Sequence, residues 1–175
     1  MSFRYFDDFR LGEKIDLGSY SVTETEILAF ARQYDPQPMH IDRDFAARTA
    51  FGGLIASGWH SCAMFMRLQA DAMLKESSAI ASPGVDAIRW LRPVRAGDVL
   101  RAEAEVIEIT PSRHRPERGL VKHDCKVFNQ KDELVMTLRT LGHSSTRRKP
   151  SIRMDSERMG AKFSVSGSTS HCSKE

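Results

Sequence analysis

Residues 58–74 place apolar side chains on nearly every side of successive helical turns. Trp59, Cys62, Ala63, Met66, Ala70 and Met73 recur at helical spacing, and Met64, Phe65 and Leu68 lie on the flanks. A helix that is apolar around much of its circumference must be buried on several sides. The second half of the chain can supply the wrapping. Residues 85–94, 99–110, 119–129 and 134–143 read as four strands. Their clearest alternation sets Leu100, Ala102, Ala104 and Val106 inward against Arg101, Glu103 and Glu105. Val121, His123, Cys125 and Val127 repeat it against Lys122, Asp124 and Lys126. Short connections at 95–98 and 130–133 suit antiparallel neighbours. One buried helix followed by long antiparallel strands predicts an α+β fold, a sheet curled around a helix.

Composition narrows the class. At 175 residues the chain is long enough for a full core. We expect one domain over 1–146 and a flexible tail over 147–175, rich in Ser, Arg and Lys with Phe163 its one aromatic. The net charge is only +3, and no aromatic residues interleave with a basic stripe, so a nucleic-acid partner is not expected. No apolar run approaches the roughly 20 residues that span a bilayer, and the first eight residues do not resemble a signal peptide. Cys62, Cys125 and Cys172 are scattered and lack metal-ligand spacing, which points to a reducing cytoplasm.

Ahead of the apolar helix lies a denser segment. Phe3, Phe6 and Phe9 are spaced to anchor a lead-in on the surface, and 19–22 reads as a short strand. Thr23 to Glu26 fits a capping box, and Ile27, Leu28, Phe30, Ala31 and Tyr34 give the following helix one buried face. Pro36 ends that helix and forces Asp35 into an extended geometry, while Pro38 stiffens the loop again before His40. A short polar helix over 43–48 follows, capped by Asp42 or Asp44, and Phe51-Gly52-Gly53 breaks it. Ala56-Ser57-Gly58 then opens the apolar helix.

An acid and a histidine five residues apart on a stiff loop can divide proton transfers between them. A helix N-terminus offers free N–H groups and about half a positive charge, and glycine lets a ligand approach closely. Taken singly, His40 could be a cap or a surface residue and Asp35 a turn acceptor. His40, Asp42, Asp44 and His60 lack the spacing of a zinc motif or the carboxylates of a hard-metal loop, so no metal is expected. Ser57 and Ser61 lie in no nucleophile elbow, and Cys62 reads as core.

Tyr34-Asp35-Pro36-Gln37-Pro38-Met39-His40, followed by Phe51 to Gly58 and the helix, resembles the MaoC-like dehydratases, the (R)-specific enoyl-CoA hydratase group. The likeness runs over 3–146 and includes Arg92-Pro93-Val94 with Gly97-Asp98. It implies a hot-dog fold, and a homodimer or dimer of dimers whose helices share one continuous sheet. Asp35 and His40 fall on the family's catalytic acid and base, and Gly58 on the residue whose N–H receives the thioester oxygen. The implied reaction adds water to an enoyl-CoA, giving an (R)-3-hydroxyacyl-CoA, or removes it. The acyl-CoA is the substrate, and no cofactor is implied. An acyl-CoA thioesterase in which Asp35 activates water, and a non-catalytic acyl-CoA-binding module, are the alternatives. Gln37 replaces the family's usual Asn, Ser57 takes a position that is often His, and Met66 stands where some members place Ser. Gln37, Pro38, Phe51 and Ser57 are expected to shape the loop and pocket. Arg113, Arg115 and Arg118 read as a solvated loop, with contact to coenzyme A phosphates the competing reading.

Overall fold

The computed structural model of the protein describes residues 3–147. One antiparallel sheet carries five strands, β1 (Lys14–Ser21), β2 (Ala79–Trp90), β3 (Val99–Pro111), β4 (Arg118–Phe128) and β5 (Leu134–Ser145), in the order β1-β3-β4-β5-β2. Four helices stand between β1 and β2: α1 (Glu24–Tyr34), α2 (Pro38–Ile41), α3 (Arg43–Ala47) and α4 (Gly58–Gln69). A π-helical turn, Ala70–Leu74, prolongs α4. The α+β architecture is the expected one.

The sheet's period-two pattern sets where α4 rests. Leu100, Ala102, Ala104 and Val106 are buried, as are Val121, His123, Cys125 and Val127 across the ladder, where Ala102 pairs with Val127 and Ala104 with Cys125. Met64, Phe65 and Leu68 of α4 share one apolar cluster with them. Gln69 Nε2 donates to Thr140 Oγ1 at 3.2 Å, fixing the far end of the helix over β5.

Several expectations are corrected. The lead-in is core rather than a surface anchor, because Phe6 and Phe9 are buried and Phe6 lies where a Cβ on Gly119 would stand. The first strand is longer than expected and begins at Lys14. Pro38 does not stiffen a loop; as the first residue of α2 it starts a helical turn that carries His40, since its missing N–H costs nothing there. Asp42 is the cap of α3, its Oδ1 accepting from Phe45 N at 2.9 Å. The α4 face of Trp59, Ala63 and Met66 is exposed within the chain, and His60, Ser61, Met64, Phe65, Leu68 and Gln69 are the buried set. The sheet therefore covers one side of α4 and leaves the other open.

The short connection at 95–98 does not join neighbours either. β2 pairs with β5, and 91–98 crosses the end of the sheet to β3, tied by Ala56 N to Val94 O and by Val22 N to Asp98 O, both 2.8 Å. The expected tail falls outside the described residues apart from Arg147, which pairs with Asp8, and Cys172 also lies outside them.

Candidate active site

Asp35 sits where α1 stops. It is that helix's C-cap, with φ −150° and ψ 68°, outside the α region that a following proline disfavours. Gln37 N donates to Asp35 O at 2.8 Å and His40 N to Gln37 O at 2.9 Å, so two backbone bonds fold 35–40 into one rigid unit. The Asp35 carboxylate points out of that unit toward the start of α4. Its Oδ2 accepts from Ser57 Oγ at 2.6 Å and its Oδ1 from Gln37 Nε2 at 2.7 Å.

Ser57 is also the N-cap of α4, since its Oγ accepts from Trp59 N at 3.2 Å. One buried hydroxyl thus joins the acid to the helix end. These two donors, Ser57 first and Gln37 second, hold the Asp35 carboxyl below the ordinary carboxylate range, with burial opposing them. Asp35 is a carboxylate at neutral pH.

His40 is buried, and its Nδ1 lies 2.8 Å from Ile55 O. A carbonyl can only accept, so Nδ1 carries a proton and Nε2 is the ring atom left to take up or release one. That atom faces Asp35 Oδ2 at 3.5 Å. Two acceptors at this separation make a place for a hydrogen-bonded water or a shared proton. Ile55 is itself pinned, its N–H reaching Met39 O, while Arg95 donates to the carbonyls of Phe51 and Leu54.

At the helix end, no acceptor among the described residues takes the Gly58 N–H. Trp90 packs directly on Gly58, its Nε1 donating to Gly58 O at 2.9 Å.

Most of the singled-out residues meet here. Asp35, Gln37, His40 and Ser57 form one cluster, Gly58 is bonded to Ser57, and Pro38 shapes the turn beneath His40. Phe51 does not join; its carbonyl is an anchor for Arg95 and its ring is exposed. Met66 lies eight residues along α4 from Gly58, about 12 Å at 1.5 Å per residue. Arg113, Arg115 and Arg118 fall at the opposite end of the sheet, separated by the length of β3, about 40 Å. His60 stacks on Phe30 with centroids 4.7 Å apart, and burial lowers its pKa. Among the described residues, no group of three or more His, Cys, Asp or Glu side chains could hold a metal ion, and no helix is long and apolar enough to cross a membrane.

Ile55, Arg95 and Trp90 were not predicted. Ile55 and Arg95 act through backbone carbonyls, which leave no sequence signature. Trp90 stands 32 residues from the glycine it covers.

The MaoC like domain profile matches residues 8–125. The chain is 36% identical to a MaoC-like dehydratase from Rhodospirillum rubrum of known crystal structure, with a TM-score of 0.77 over 83% of this chain and 99% of that one. It is 30% identical to the uncharacterized protein YdeM of Bacillus subtilis, over 74% of this chain and 90% of that protein. It is 28% identical to the 3-hydroxybutyryl-CoA dehydratase of Methylorubrum extorquens, over 63% and 69%. A profile spanning most of the chain, and a hot-dog structure that superposes along nearly its whole length, place this protein in the MaoC-like domain family.

Proposed function

We propose that the protein is a hydro-lyase that interconverts an enoyl-CoA and its (R)-3-hydroxyacyl-CoA. The observation that carries this reading is the facing pair of Asp35 Oδ2 and His40 Nε2, 3.5 Å apart, joined through Ser57 to the Gly58 N–H at the start of α4. The dehydratase names of its relatives support the same chemistry, and the stereochemistry follows from the resemblance.

In this mechanism a water hydrogen-bonds to both acceptors. His40 Nε2 takes one proton as the water oxygen bonds to C3, and Asp35 accepts a hydrogen bond from the remaining O–H and orients the attack. Electron density moves through C2 onto the thioester oxygen, which Gly58 N–H and the α4 N-terminus stabilise. The proton removed from water returns to C2, directly or through Asp35, so one molecule of water is added in all. Asp35 is held as a carboxylate, which suits it to orienting water before it relays a proton.

The open face of α4 and the exposed edge strand β2 fit a second copy of this chain. Trp59 and Met66 on α4, Val85 on β2 and Leu91 just after it are exposed apolar side chains that a homodimer would cover. Sedimentation equilibrium is expected to give a dimer or its multiple; a monomer at micromolar concentration would contradict this.

The test of the reaction is substitution of each acceptor. Asp35→Asn and His40→Gln should each lower enoyl-CoA hydration by about 10²–10⁴-fold with unchanged circular dichroism. Wild-type turnover in either variant would end the assignment.

A further inference from the structure

Both tryptophans of the chain, Trp59 and Trp90, stand at the start of α4. Trp59 is 60% exposed and Trp90 47%, unusual for the largest apolar side chain. They meet edge to face with centroids 5.7 Å apart. Trp90 does more than lie nearby. Its indole N–H donates to the first carbonyl of α4, and a Cβ on Gly58 would lie 2.7 Å from Trp90 Cε2, inside the ring's van der Waals surface. Glycine at 58 is thus demanded by Trp90 and not only by a ligand.

The strand beneath Trp90 is irregular in a way that serves this placement. β2 breaks register against β5 between Asp86 and Arg89, and Ala87 adopts φ 53°, a left-handed conformation uncommon for a residue with a Cβ. Bulges of this kind re-aim a side chain. Here the strand resumes with Arg89 opposite Thr137 and Trp90 opposite Met136, and the Trp90 ring lies over Gly58.

We propose that Trp90 is a positioning residue of the thioester site. It fixes the first peptide of α4, and hence the aim of the Gly58 N–H, and it offers a flat aromatic wall for the conjugated enoyl thioester. A planar conjugated acyl group gains from an offset contact with the indole face, which a saturated chain matches less well. This rests on the reading of Gly58 N–H as the donor to the thioester oxygen.

Two measurements on the full chain test it. In Trp59→Phe, Trp90 is the sole tryptophan, so its emission reports on that position alone. Titration with an enoyl-CoA in an Asp35→Asn background should change that emission saturably, and free coenzyme A should change it far less. Trp90→Phe, which keeps a ring but lacks the N–H, should lower kcat/KM about fivefold to tenfold, as loss of one hydrogen bond would. That loss should fall mainly on kcat, with the fold intact by circular dichroism. Turnover by the wild type with silent Trp90 emission and an unimpaired Trp90→Phe overturns the Trp90 assignment and leaves the Asp35/His40 reading standing. Saturable emission change without any hydration by the wild type keeps the tryptophan wall and overturns the reaction.

Discussion

The Ser57 hydroxyl serves two partners, donating to Asp35 Oδ2 and accepting from Trp59 N. Its loss has two separable consequences. As an N-cap, Ser57→Ala should cost about 1 kcal/mol of stability in a urea titration. As the stronger of the two donors to Asp35, it should raise the Asp35 pKa toward the ordinary carboxylate value. An NMR titration of the Asp35 carboxyl carbon should therefore show its midpoint moved to higher pH. Gln37→Ala should move it the same way and by less, because Gln37 is the second donor and exposed. A midpoint fixed in both variants would mean that another group holds the carboxyl down. Asp35, His40 and Gly58 were legible as candidates, since proline spacing and a glycine turn mark them. The Ser57 bridge was hidden, because 22 residues separate it from the carboxylate and only the folded chain closes that gap. For the same reason Gln37, expected to retune the loop, turns out to grip the acid directly.

At the scale of elements, period and caps were legible and pairing was not. The capping box at Thr23 and Glu26 forms as expected, and the alternation in 99–110 and 119–129 places the right residues inward. Strand order could not be read, because a short connection at 95–98 looks like a hairpin until Val94 is seen tied to Ala56. The helix stripe was likewise misassigned. A helix apolar on most sides does not say which side the sheet will cover, and it covers the one bearing Phe65 and Leu68. The N-terminal contact gives a direct check on the packing described here. Phe6 fills the space beside Gly119, so Gly119→Ala should destabilise the protein by about 1–3 kcal/mol, as overpacking does. Urea unfolding should show a lower midpoint at constant slope. An unchanged midpoint would mean that the 6–9 turn does not dock on β4.

For the whole molecule, buried titratable groups tie stability to acidity. His123 is 3% exposed, its Nε2 has no partner among the described residues, and burial pulls its pKa down to about 4. Unfolding restores a value near 6.5, so the unfolded chain binds the proton first as pH falls. Stability is therefore full above about pH 6.5 and declines toward pH 4, by roughly 3 kcal/mol for this group. His60, also lowered by burial, acts with the same sign. A His123→Leu variant should lose much of the fall in Tm between pH 7 and 4.5; an identical fall would place the acid sensitivity elsewhere. The proposed reaction adds water across a double bond and not to the thioester carbonyl. Incubating the wild-type protein with a panel of enoyl-CoAs, while following enone absorbance and free thiol together, tests it most directly. Loss of absorbance with no thiol released is the predicted result, and thiol release in step with substrate loss would contradict it.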